Sequence, residues 1–190
     1  MPCSFSTSFV YDFKRGDNIV LNCQSIHKLW SLREELPARE QWLLNKPIVL
    51  MSAAVVEVCL CELFQRVRFH TLEGVPRLTA KQIKGIKITK KDDFGLYLAQ
   101  CKQNKILGPT RSFDNVYSRL DNLRKTRNRI HIQNLDGSEP RCDRKAFSDE
   151  IVTEAEWLLE FTLKYLSTHY PRRRVYTENA RLPWNHGIEV

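Results

Sequence analysis

Residues 123–134 of the chain are LRKTRNRIHIQN. Arginines can hold a phosphate bidentately, and a histidine can take a proton from a hydroxyl near neutral pH. That chemistry requires the groups to converge, so the question is which of them share a face. On a helical wheel advancing about 100° per residue, with Leu120 as origin, Phe113, Val116, Tyr117 and Leu123 mark an apolar face. Continued, the same wheel brings Arg124, Arg127 and His131 onto the middle of that face, while Arg129 falls opposite, where a solvated arginine belongs.

Two unpaired guanidinium groups in a sealed groove would each cost several kcal/mol. Either acids from other helices pair with them, or this end of the face opens into a polar cleft. Glu57, inside the apolar run 52–61, is the natural partner, with Glu150 and Glu154 as further candidates. One outcome is a buried Arg–Glu network that orients a helical bundle, with His131 as a hydrogen-bonded core histidine. The other is a phosphate site. Asn128, Gln133 and Asn134 add neutral polar groups beside the cations. Flanking arginines should press the histidine pKa downward, leaving a neutral imidazole available as a base.

Positioning these groups requires helices, and the pattern supplies them. IVLMSAAVVEVCLCELF (48–64) is apolar nearly all round and carries Glu57 and Glu62; it predicts a central core helix within about 38–69, with Pro47 as a kink or a start. SIHKLWSLREEL (25–36) predicts a helix with Ser25 as N-cap and Pro37 as stop. DDFGLYLAQCKQNKILG (92–108) has acidic entry, basic exit and a glycine stop. The segment 110–134 follows with Ser112 as a possible N-cap. FSDEIVTEAEWLLEFTLKYLSTHY (147–170) starts at Ser148 and has Ile151, Ala155, Leu158, Leu159, Thr162 and Leu166 as its buried stripe. The first 25 residues look weakly strand-like, and KGIKITK within 71–92 fits a short strand or an ordered loop. Trp30, Trp42 and Trp157 are expected to be core or interface anchors.

The expected class is all-α: a bundle of four or five helices over 45–168, interrupted by a basic insertion at 71–92. An N-terminal extension (1–44) packs on it, and a basic tail (169–190) follows. The 190 residues suffice for one well-buried core, and a net charge of +8 favours a polyanionic partner. Lys84, Lys87, Lys90 and Lys91 in the insertion, with Arg172 and Arg173 in the tail, are the candidate nucleic-acid contacts; a solvated loop is the competing reading. Six cysteines contain no CxxC pair, and the N-terminus has no charged segment ahead of an apolar stretch. Both point to small buried hydrophobes in a reducing cytoplasm rather than a disulfide framework or a membrane anchor. No His/Cys/carboxylate set has metal spacing, so no cofactor is expected. His27, His70 and His169 are isolated. Trp184 and His186 could stack on a base, with packing of the tail onto the body as the alternative.

Arg124-KTRNRI-His131 and the Arg127-Asn128 pair resemble the R-x(4–6)-H motif of the HEPN superfamily, in which the arginine is often followed by Asn, Asp or His. AAVVEVCLCELFQRV, with its Glu57, looks like the first core helix of such bundles; FGLYLAQCKQNKIL resembles the second. The motif is divided: Arg124 has the permitted spacing and Arg127-Asn128 the preferred dipeptide. The resemblance implies a homodimer in which two motif-bearing helices meet over one cleft, and a metal-independent endoribonuclease. His131 would accept the 2′-OH proton, Arg124 and Arg127 would hold the phosphate, Asn128 would orient it, and Glu57 would support the arginines. The product would carry a 2′,3′-cyclic phosphate. The resemblance also implies a toxin–antitoxin or phage-defence setting, with an antitoxin or defence-system protein as a possible partner. The alternatives are a non-catalytic RNA- or nucleotide-binding module and a structural subunit of a larger complex.

Overall fold

The computed structural model describes residues 14–69, 75, 77–87, 93–108, 110–129 and 142–172; side chains of 14–17 and 110–115 lie outside the description. Every regular element among the described residues is helical. Five helices have ten residues or more: α1 (Lys14–Glu35), α2 (Asn45–Phe69), α4 (Phe94–Gln103), α5 (Thr110–Asn128) and α7 (Asp149–His169). Two are short: α3 (Ala80–Gly85) and α6 (Asp143–Ala146). The protein is an all-α helical bundle.

Its axis is α2. A single 3-10 turn, Gln41–Leu44, runs directly into Asn45, so Pro47 sits in the first turn of α2, where its missing N–H deprives the helix of nothing. Ile48, Val49, Ala53, Val55, Val56, Cys59, Leu60, Leu63 and Phe64 are all buried. The stretch Gln41–Phe69 is long and apolar enough to cross a membrane by length and composition, and 61% of its apolar window is buried inside the fold.

α7 packs along α2 in parallel. At one pole Asn45 Nδ2 donates to Phe147 O and Asp149 Oδ1, both at 2.9 Å. At the other, Arg66 Nη1 donates to Tyr170 O at 2.7 Å, and the Tyr170 hydroxyl donates to Ile106 O at 2.6 Å. The buried stripe of α7 is Val152, Ala155, Leu158, Leu159, Thr162, Leu163 and Leu166. α4 and α5 form a hairpin closed by Tyr117, whose hydroxyl accepts from Leu107 N and donates to Gly108 O. Lys105 and Gly108 take positive φ there, which turns the chain sharply between the helices.

Three expectations give way. α1 begins at Lys14, not near residue 25: Ile19, Cys23 and Ile26 are buried at helical spacing against α2, and tertiary burial overrides the weak strand signal. Ser25 therefore lies inside α1, where its hydroxyl donates to Leu21 O at 3.0 Å instead of capping. The start of KGIKITK belongs to helix α3, fixed by a capping box in which Thr79 and Gln82 exchange hydrogen bonds. The last three residues of that stretch, 88–90, lie outside the described residues. Of the tryptophans, Trp42 and Trp157 are exposed and not core residues, while Trp30 is half-buried against the core; each lies under an arginine, Arg33 over Trp30, Arg144 over Trp42 and Arg119 over Trp157.

Candidate functional site

The apolar face of α5 is where the wheel puts it: Val116, Tyr117, Leu120 and Leu123 are buried. Phe113 lies among the undescribed side chains. Beyond Leu123 the face emerges from the core, and the Arg124 and Arg127 side chains are 26% and 38% exposed. The helix ends at Asn128, and Arg129 N closes a final turn onto Thr126 O at 3.1 Å. His131 lies outside the described residues, as do Gln133 and Asn134.

Both arginines are neutralised by carboxylates. Arg127 Nη2 donates to Glu57 Oε2 at 2.7 Å, the partner singled out from the sequence. Its Nη1 makes a long contact, 3.4 Å, to the exposed Asn128 Oδ1. Arg124 reaches back one turn to Asp121, with Nε and Nη2 each 2.9 Å from Oδ1. Lys125 holds the other oxygen of Asp121 at 3.0 Å. Partial burial works to raise the Asp121 pKa, but hydrogen bonds from Lys125 and Arg124 outweigh it and hold the carboxyl below its ordinary range. Asp121 is thus an anion at neutral pH. Glu154 pairs with Arg119, not with the motif arginines.

Two further residues belong to this site. Asp121 stands three and four residues before its two cations, a spacing that places all three on one helix side. Gly95, in the first turn of α4, lies under Arg124: an added Cβ would be 3.6 Å from Arg124 Cδ and 3.7 Å from Nε. Asp93 caps α4 by accepting from Leu96 N at 2.8 Å. The N-terminus of α4, the end of α5 and Glu57 of α2 therefore meet, and the cations there face solvent on one side.

The remaining candidates separate. Lys84 and Lys87 are exposed on and just after α3. Lys90, Lys91 and Arg173 lie outside the described residues. Arg172 does not belong to a solvated arm: it is buried and ion-paired with buried Glu62, because an acid inside the core helix demands a cation. His27 is exposed; His169 Nδ1 lies 3.0 Å from Tyr165 O, and its ring stacks on Tyr165. Among the described residues no group of three His, Cys, Asp or Glu side chains could hold a metal ion. Compared with known protein families, curated proteins and solved structures, the chain matches none of them.

Proposed function

We propose that the protein is an RNA-binding helical bundle of HEPN type that cleaves RNA without a metal, working in the cytoplasm as a homodimer through α5. The observation that carries this reading is the emergence of Arg124 and Arg127 from an apolar face into partial exposure. A phosphate entering from solvent can exchange with the carboxylates that hold them. His131, three residues past the end of α5, is the base that accepts the 2′-OH proton. The 2′ oxygen bonds to phosphorus, the bond to the 5′ oxygen breaks, and the leaving oxygen takes a proton from water. The arginines stabilise the charge gathering on the phosphoryl oxygens, and Asn128 orients the group. Ala54, Val58 and Cys61, exposed or half-buried on α2 beside Glu57, support a second copy docking over the same region. A toxin–antitoxin or phage-defence setting accords with this reading.

The Arg127–Glu57 ion pair favours a second reading: a binding module whose arginines serve mainly to join α5 to α2. Purified protein incubated with single-stranded RNA in EDTA separates the two. Cleavage to 2′,3′-cyclic phosphate ends that is lost in His131→Ala supports the nuclease. Salt-sensitive binding without cleavage in either protein leaves the binding module.

A further inference from the structure

The net charge is concentrated in one part of the chain. Residues 74–113 contain nine Lys and Arg and only two acids, Asp92 and Asp93, a net of +7 out of the whole chain's +8. Five of these cations, Lys81, Lys84, Lys87, Lys102 and Lys105, are exposed. Among the described residues none of the five has an ion-pair partner. Elsewhere Lys46, Arg119, Arg124, Lys125 and Arg127 each hold a carboxylate, and the exposed lysines without one, Lys28, Lys145 and Lys164, are spread over α1, α6 and α7 instead of gathered.

The fold gathers these lysines at one pole. Gln82 Nε2 donates to Asn104 O at 3.0 Å, and Lys87 N donates to Gln100 Oε1 at 3.3 Å, so α3 is fastened to the last turn of α4. The approach is close enough that a Cβ on Gly85 would lie 2.0 Å from Asn104 Oδ1. Arg77 anchors the entry to α3 by donating to Thr168 O at 2.8 Å, at the end of α7. Cations near a helix C-terminus gain from the macrodipole, and that accounts for Lys102 at the end of α4. It does not account for Lys81, which lies in the first turn of α3.

We infer that α3 and the C-terminal end of α4 form a second anion-binding surface, which grips the backbone of a single-stranded RNA whose scissile phosphate lies at Arg124 and Arg127. The inference rests on the RNA reading given above. α4 links the two places: its first turn underlies Arg124 through Gly95, and its last turn carries α3. Its ten residues span about 15 Å at about 1.5 Å each. A strand must therefore be several nucleotides long to reach both.

The test measures binding of fluorescein-labelled oligouridylate to the His131→Ala protein in EDTA, so that cleavage plays no part. Binding of a strand of about 20 nucleotides is followed from about 50 to about 200 mM salt for that protein and for the same protein with Lys81, Lys84 and Lys87 changed to Gln. Three lost phosphate contacts should reduce the slope of log affinity against log salt by about 2, making the loss over that range about 16-fold smaller. Lys28→Gln/Arg39→Gln, in and just after α1, should leave the slope unchanged, and circular dichroism should show all variants folded. An unchanged slope overturns the inference, as does absence of RNA binding. Lysine-dependent adsorption to phosphatidylserine vesicles without lysine-dependent RNA binding also overturns it, in favour of a membrane surface. If the lysines govern binding and the wild-type protein cleaves nothing, the surface stands and the nuclease reading fails.

Discussion

Arg127 of α5 and Glu57 of α2 meet at 2.7 Å across a seam that is open to solvent on one side. The pair both joins the helices and holds the guanidinium where a phosphate would need it. Being part-exposed, it should contribute about 0.2–1 kcal/mol to stability. On the proposed reading, RNA must compete with Glu57 for the guanidinium. Glu57→Gln is therefore expected to keep or increase RNA affinity, while Arg127→Gln lowers the cleavage rate about 10²–10³-fold. Equal losses in both variants would mean that the pair acts only as a joint.

Gly95 leaves room for Arg124. An Ala there brings Cβ to 3.2 Å from Asp93 Oδ1 and 3.6 Å from Arg124 Cδ, contacts that small shifts relieve. Gly95→Ala should stay within about 1 kcal/mol of wild type, since helix propensity gains what the contact loses. Gly95→Leu must move the Arg124 side chain. It should weaken RNA binding while thermal unfolding changes little, and parallel loss of both would assign Gly95 to packing alone.

The thiols divide by access. Burial pushes the Cys23 thiol up to about 12 and the Cys59 thiol well above its ordinary value, with nearby Cys23 and Glu62 adding to the effect. Cys142 is exposed. Titration with a chromogenic disulfide should label Cys142 at once, and Cys23, Cys59 and Cys101 only on unfolding. Fast labelling that survives Cys142→Ser and maps to Cys23 would contradict the packing of α1 on α2.

The legible parts of this chain are those where a single period dominates. α2 could be read because no face of it is polar, and α7 because its stripe repeats without interruption through Leu166. Glu57 could be picked as an arginine partner because it is a charge within an apolar run, which must be answered by another chain segment. The second half of α1 is legible from the spacing in 25–36, but its first half is not: Ile19 and Cys23 are fully buried anchors in a polar stretch, and their burial depends on α2, which local pattern does not show. Arg172 is illegible for a related reason. A basic tripeptide after a proline looks solvated until Glu62, 110 residues earlier, is seen to lie beside it.

Acid should loosen the pole where α2 and α7 begin and α1 ends. Hydrogen bonds from Asn45, then from Arg33, outweigh slight burial and hold the Asp149 carboxyl below its ordinary range. A carboxyl lowered in the folded state adds stability that is complete above its unfolded pKa, about 3.9, and is lost as the pH falls through the folded value. Asp121 acts in the same direction. The melting temperature should be flat from neutral pH to about 5 and fall below about 4. Because Asp149 is largely exposed its share is small. Asp149→Asn should lower the neutral plateau slightly and make the acid fall shallower; an unaltered profile would show that the carboxylate is not engaged in solution.

The Glu62–Arg172 pair has a different character from every other ion pair described here, because both side chains are buried. Removing the cation breaks a buried ion pair from one side, at a cost of up to about 3–5 kcal/mol. Arg172→Met should therefore lower the melting temperature sharply, and Glu62→Gln in the same chain should restore much of the loss, since two neutral groups need no mutual charge. In the His131→Ala background its RNA salt slope should equal that of the His131→Ala parent under conditions where the variant is folded. That last measurement separates Arg172 from the lysines of α3, whose replacement is expected to leave stability alone and change the slope. A reduced slope in Arg172→Met with unchanged stability would put this arginine back on the surface among the phosphate contacts.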